Sequence, residues 1–385
     1  MSTSGHIRRR GEASWEIKFD TGIDPATGRR KTCYASMKGS RRDAQRELTR
    51  LLAAADAGTL VEPSKLTIAS CLMAWLDGPH GLSGKTAERY RQLAVQQIIP
   101  HLGALALQKL KPAHIADWHA KLLAAGGKGG AAPLSARTVG HAHRVLHRAL
   151  ARAVETELLA RNVASVVKPP KVGETEIESL KADQIDTVLS ALRGHALEPI
   201  AVLALSSGAR RGELLGLAWA SVDLDAATIK IERSLEQTKA GLKFKAPKTK
   251  HGRRTVTLPP VALGALRAHR RRQLELRMAV GLGRLDPDSL VFSTVDGNPI
   301  PPNNLSRDWA RFVKAHKLPA ISFHALRHSH ASALIVGGID TLTLSRRIGH
   351  ASAVVTLGIY GHLFSETDKT AAKAIEAALR TGKER

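Results

Sequence analysis

Two adjacent prolines, Pro169 and Pro170, interrupt "NVASVVKPPKVGETEIES" (residues 162–179), between two long stretches of helical periodicity. Proline fixes its own φ, lacks an amide donor and steers the preceding residue out of the helical region, so no helix runs through here. A glycine and a polar tail complete the composition of a linker, expected over residues 164–177. At 385 residues, 43% of them hydrophobic, the chain is too long for one ordinary core and apolar enough to fold. Two or three domains are expected.

The first segment runs to about residue 60. "SWEIKFD" alternates Trp15, Ile17 and Phe19 with Glu16, Lys18 and Asp20, the period of a half-buried strand. "DPATGRR" supplies a turn, "KTCYASM" a returning strand, and "SRRDAQRELTRLLAAA" a helix opened by Ser40 and Asp43 at capping-box spacing. A three-stranded sheet backed by one helix is expected. Arg8, Arg9, Arg10, Arg29 and Arg30 surround it, as in a sheet laid into a DNA groove or, equally, as a solubilising rim.

The second segment, residues 64–163, reads as helical. Thr67 can cap a helix carrying Ile68, Leu72, Trp75 and Leu76, and Pro100 with "HLG" should stop the next. Pro112 opens another, and Ser135 caps a long helix whose apolar face is Val139, Ala142, Leu146, Ala149 and Ala153. The opposite face of that helix bears Arg137, His141, Arg144, Arg148 and Arg152, nearly without acids. Solvated faces usually mix both signs, so this stripe points to phosphates. His141, His143 and His147 match no standard metal spacing, and no metal is expected.

Lys and Arg number 58 against 34 Asp and Glu, a formal net charge of +24. Such an excess repels itself in a compact state unless a polyanion is the partner, and nucleic acid leads. No stretch is apolar and long enough to span a bilayer, and the N-terminus lacks the apolar run of a signal peptide. Cys33 and Cys71 are too few for a disulfide framework, so reduced thiols in a cytoplasmic protein are expected.

From about residue 178 helices give way to strands near "ATIKIERS" and "LKFKAPKTKHGRRTVTLPP", where "KHG" reads as a hairpin tip; helices resume after about 303. Four islands stand out: "SSGARRGELLGLAW", "APKTKHGRRTVTLP", "SFHALRHSHAS" and "IGHASAVVTLGIYGH". In this order they resemble the tyrosine recombinase (phage integrase) family, and the N-terminal sheet resembles the arm-binding domain of mobile-element integrases. The resemblance implies a multidomain, mainly helical fold with small sheets. Its parts are an arm-type domain (1–60), a helical core-binding domain (64–163) and a mixed α+β catalytic domain (178–385).

It also implies Arg210, Lys248, His324, Arg327 and His350 as catalytic residues, Tyr360 as nucleophile, and Glu213 in support. Lys250 stays open beside Lys248 as the acid. The chemistry fits: guanidiniums neutralise charge growing on a phosphodiester, His324 can serve as base, and a lysine can protonate the leaving 5′ oxygen. The family's 3′-phosphotyrosine link conserves bond energy, implying neither ATP, metal nor other cofactor. Partners so implied are double-stranded core and arm sites gripped by a C-shaped clamp, a homotetramer on DNA in the nucleoid, and an excisionase or DNA-bending host protein. A type IB topoisomerase, a chromosome-dimer recombinase and a silent DNA-binding regulator remain the alternatives. Ala325, Ser329, Ala218 and Ser221 depart from the usual family pattern without replacing a reacting group.

Overall fold

The computed structural model describes residues 5–23, 28–57, 60, 61, 64–127, 130, 132–173, 178–247 and 250–361, with 363, 372, 375, 376 and 379. The side chains at 22, 23, 30, 31 and 250 also lie outside that description. The chain divides into two compact units, Met1–Gly173 and Glu174–Arg385.

In the first unit β1 (Gly5–Gly11), β2 (Ser14–Ile23) and β3 (Arg30–Lys38) form an antiparallel sheet in that order. Alternation puts Ile17 and Phe19 on one face, buried against Leu48 and Leu51 of α1 (Arg41–Asp56). Ser40 caps α1 through its hydroxyl, and Asp43 returns a bond to the Ser40 amide.

A separate core gathers the helices that follow. They are α2 (Ile68–Asp77), α3 (Gly84–Leu93), α4 (Ile99–Leu102), α5 (Pro112–Ala125) and α6 (Ala136–Glu155). The helix ends at Leu102 within the expected "HLG", but Pro100 itself does not break it. Ala94–Ile98 widens into a π-turn, with the Ile99 amide reaching back five residues to the Ala94 carbonyl, and the helix resumes around the proline. On α6 the expected apolar face is buried, and His143 is buried with it. Its Nδ1 lies 3.2 Å from Nε2 of His119 on α5, so the histidine cluster is a core pair rather than a surface triad. Among the described residues no three His, Cys, Asp or Glu gather as metal ligands.

The second unit starts with α7 (Ala182–Leu192), α8 (Glu198–Ser207) and α9 (Arg211–Leu215). Five strands follow: β4 (Val222–Asp223), β5 (Thr228–Ile231), β6 (Ser234–Thr238), β7 (Gly241–Lys245) and β8 (Arg254–Thr257). Here the sequence-based hairpin is overturned. β7 pairs with β6, while β8 pairs with β5 in a sheet ordered β4-β5-β8. "KHG" is a short 3₁₀ turn on the connection between two sheets, because Lys239–Ala240 already turns the chain back. α10 (Pro260–Ala279) was also illegible: it fully buries only Ala262 and Leu266, too narrow a stripe to show as periodicity. The unit closes with α11 (Pro302–Ala315), α12 (Ala325–Val336), α13 (Thr341–Ile348) and α14 (Ala353–Tyr360). Its main core centres on Trp309, Phe312, Leu203 and Leu326, and a smaller one holds Tyr360 among Ala331, Ile335, Leu344 and Ile348. No helix among the described residues is long and apolar enough to cross a membrane.

Burial, then the charges of His119 and His147, push the His143 pKa down to about 4. Between that value and the unfolded one near 6.5 the unfolded chain binds more protons, so stability should fall as pH falls through this window. His324, His330 and His350 act in the same direction. Thermal melts should therefore show a lower midpoint at pH 5 than at pH 7. His143→Gln should flatten that dependence by up to one proton's worth of slope.

Candidate active site

α8 ends at Gly208, whose φ of +63° continues the chain in a left-handed turn. A Cβ there would also strike the His330 ring at 2.5 Å, so glycine serves both conformation and space. Two residues on, Arg210 caps α9. Its guanidinium donates to Glu213 Oε1 (2.8 Å) and, through Nη2, to the Gly349 carbonyl (3.0 Å), joining α9 to the end of α13.

Glu213 is 3% exposed at its side chain and takes a second guanidinium on Oε2, from Arg254 of β8 at 2.9 Å. Burial alone would raise the Glu213 carboxyl. Arg254, by charge and hydrogen bond, and then Arg210 outweigh that effect and hold it below the usual carboxylate range. Arg254 also donates to the carbonyls of Arg347 (2.7 Å) and Gly252 (3.2 Å). Gly349 turns with φ +70°, and a Cβ on it would lie 2.7 Å from Arg254 Nη1. Sequence reasoning missed Arg254, although strand period would have helped: it stands two residues from buried Val256 and so shares the inward face.

Arg327 on α12 is 3% exposed. Its Nη1 donates to the Gly208 carbonyl at 2.5 Å, while the buried Nη2 has no hydrogen-bond partner among the described residues. Burial, and then the like charge of Arg210, pull its pKa down to about 9. A donor left unpaired inside a cluster of cations is a place for an anion. Nearby, Tyr360 at the end of α14 is 1% exposed. Burial pushes its phenol up to about 12, with Arg327 opposing.

The Tyr360 hydroxyl meets His328, whose Nδ1 lies 2.7 Å away. His324 stands one turn earlier on the same helix, edge-to-face with His328 at 5.0 Å. Burial and then His328, Arg327, Arg210 and Arg211 hold the His324 imidazole well below its ordinary pKa, though part of the residue is open to solvent. His350 is buried, with Nδ1 2.9 Å from the Thr356 hydroxyl, and burial with Arg327 and Arg210 pushes it down to about 4. His330 is structural: Nδ1 meets the Leu205 carbonyl at 2.7 Å and Nε2 accepts from Arg347 at 3.2 Å.

The fold thus gathers Arg210, Glu213, His324, Arg327, His350 and Tyr360, and adds His328 and Arg254. Lys248 lies outside the described residues, on the connection between β7 and β8.

In the first unit Arg137, His141, Arg144, Arg148 and Arg152 are all exposed on α6. Arg148 stands 5.8 Å from the Tyr90 ring centroid, and Arg152 pairs with Glu155. Arg89 of α3 joins this field, lowering His141 after burial and Arg144. The arginines of β1 do not act as one face. Strand alternation puts Arg8 opposite Glu16 and Arg9 opposite Trp15. Arg9 is turned to the carbonyls of Gly11 and Glu12, and Arg10 pairs with Glu16 at 2.7 Å. The same face as Arg8 carries Lys18 and a 57% exposed Tyr34, which sequence reasoning did not single out. Arg29 is exposed, and the Arg30 side chain lies outside the described residues.

A model of the phage integrase family matches residues 178–367, and one of the phage integrase N-terminal SAM-like domain matches residues 74–123. A tyrosine recombinase XerC-like protein of Caldanaerobacter subterraneus subsp. tengcongensis is 31% identical over 258 residues, 63% of this chain and 66% of that protein. An integrase of Streptomyces ambofaciens is 29% identical over 385 residues, 96% of this chain and 94% of its own. In three dimensions the Tn1549 transposon integrase in complex with transposon right end DNA matches with a TM-score of 0.68 at 18% identity, covering 81% of this chain and 100% of that one. A lambda integrase tetramer bound to a Holliday junction matches with a TM-score of 0.54 at 19% identity, covering 90% and 92%. Two family models along the chain, whole-length relatives and a shared fold agree: the chain belongs to the phage integrase family, the tyrosine recombinases.

Proposed function

We propose that this protein is a site-specific DNA recombinase, the integrase of a phage or genomic island, that cuts and rejoins DNA through a 3′-phosphotyrosine link on Tyr360. The observation that carries this reading is the buried, unpaired Nη2 of Arg327, close enough to Arg210 and Tyr360 to feel both charges. A scissile phosphate there would satisfy that donor and relieve the repulsion between the two arginines. Arg210, Arg327 and His350 hold the nonbridging oxygens. His350 meets the Thr356 hydroxyl through Nδ1, which leaves Nε2 as the ring nitrogen that would donate to the phosphate. His324 feels the charges of the same two arginines, and Lys248, with Lys250 as its rival, protonates the leaving 5′ oxygen.

Three working parts follow. Residues 1–60 hold arm sites, residues 64–163 and 178–385 grip the core site, and residues 164–177 join them. The separate hydrophobic clusters of the sheet part and the helical part support the first division. Four copies on two duplexes would exchange strands, a reading supported by the lambda integrase tetramer on its junction. The amphipathic stretch 367–380, which could dock on a neighbouring copy or equally pack in cis, falls almost wholly outside the described residues. An excisionase or a DNA-bending host protein would act as accessory in the host nucleoid.

Nicked duplexes tiled across both flanks of the gene, incubated in EDTA and quenched with SDS, test the nucleophile. A protein–DNA band with wild type, absent with Tyr360→Phe, is expected; tight binding without a band would favour the silent regulator. Arg254→Ala should cut adduct formation about 100-fold, as loss of an oriented electrostatic group does, with core-site binding within a few-fold of wild type. Combined with Glu213→Gln it should cost little more, since both changes break one linkage. On the helical part, Arg144→Ala and Arg148→Ala should each weaken core-site binding and lower the salt slope by about one, read by titration at several salt concentrations.

A further inference from the structure

His324 is the histidine that the family motif pairs with Arg327, yet the imidazole on the Tyr360 oxygen belongs to the next turn of α12. His328 Nδ1 lies 2.7 Å from the hydroxyl, a full hydrogen bond, with ring centroids 5.8 Å apart and planes tilted by 57°. We propose that His328 is the catalytic base for Tyr360, receiving the hydroxyl proton on Nδ1 as the phenol oxygen attacks phosphorus. This rests on the reading of Tyr360 as the nucleophile.

The step balances without a co-reactant. The oxygen–phosphorus bond to Tyr360 forms, and the bond from phosphorus to the 5′ oxygen breaks. The phenol proton passes to His328, and the departing 5′ oxygen takes its proton from the separate acid. In the rejoining step a 5′-hydroxyl attacks, its proton goes to the conjugate base of that acid, and the His328 imidazolium returns its proton to Tyr360.

The surroundings suit this role. Arg327 precedes His328 on its own helix, His324 stands one turn before it, and Glu178 lies before α7. Tyr360 faces it from α14, and His350 follows α13. Burial and then Arg327 hold His328 below its ordinary pKa, with Glu178 opposing, which favours the neutral ring. A neutral ring that accepts from the phenol on Nδ1 carries its own proton on Nε2. His324, the more exposed of the two residues, is then left to meet the phosphate rather than the nucleophile.

Single-turnover adduct formation on the nicked core site, from pH 5.5 to 9, separates the roles. His328→Ala should lower the rate 10²- to 10⁴-fold, the usual worth of general base catalysis, with DNA binding and thermal midpoint near wild type. Its residual rate should climb about tenfold per pH unit toward the phenol's own ionisation, while wild type levels off. His328→Asn sets an amide oxygen near the Nδ1 position and should restore alignment without basicity, recovering the rate only in part. A His328→Ala rate within threefold of wild type, an unchanged pH profile, or complete recovery with His328→Asn would overturn the proposal. So would a base-loss profile that appears in His324→Ala instead. Tyr360→Phe separates the base from the nucleophile: an adduct surviving that change removes Tyr360 as the nucleophile, whatever His328 does.

Discussion

A buried carboxylate between two guanidiniums is what lets this site exist. Glu213 accepts from Arg210 on one oxygen and Arg254 on the other, and Arg327 stands close enough to feel all three. Like charges in a poorly hydrated interior repel strongly, and one carboxylate does not balance three arginines. The remainder comes from the backbone. α8 ends with Leu205, Ser206 and Gly208 offering carbonyls to His330, Arg347 and Arg327. α13 ends with Arg347 and Gly349 offering carbonyls to Arg254 and Arg210. Helix C-termini carry partial negative charge, so two of them converge to hold cations that side chains alone would leave unbalanced.

The same contacts fix distances along the chain. Arg254 sits at the start of β8, just beyond the connection that carries Lys248, and it is bonded to the backbone of α13. Gly349 accepts from Arg210 immediately before His350, and Thr356 ties His350 to α14, which ends in Tyr360. A displacement of any one of these pieces is thus felt by the others through hydrogen bonds rather than through loose packing.

Much of this was legible in the sequence, for identifiable reasons. Ser40, Thr67 and Ser135 announced helix starts because capping chemistry is local. The long α6 showed its apolar face because eight of its residues are buried along a regular stripe. Arg210, Glu213, Arg327, His350 and Tyr360 were found by motif order, which says nothing of contact. What failed depends on partners distant in sequence. Strand pairing of β7 and β8 was misassigned, since two strands flanking a glycine turn look like a hairpin whether or not they pair. The helix passes Pro100 through a π-turn and ends two residues later within "HLG", and the backbone energetics of that short extension leave no compositional trace. The run Arg8, Arg9, Arg10 was read as part of one basic surround to the sheet, and strand alternation with nearby carbonyl and carboxylate acceptors divides it.

The unpaired Nη2 of Arg327 has a practical side. A cluster of oriented guanidiniums, an imidazole and a phenol does not distinguish a phosphodiester from a free tetrahedral oxyanion by charge alone. Sulfate or inorganic phosphate, small enough to enter without a duplex, would satisfy the same donor. The protein handled in phosphate buffer or ammonium sulfate would then carry a plugged centre, more heat-stable and less reactive than the same molecules in chloride. Preparations differing only in their counter-ion would behave as different enzymes.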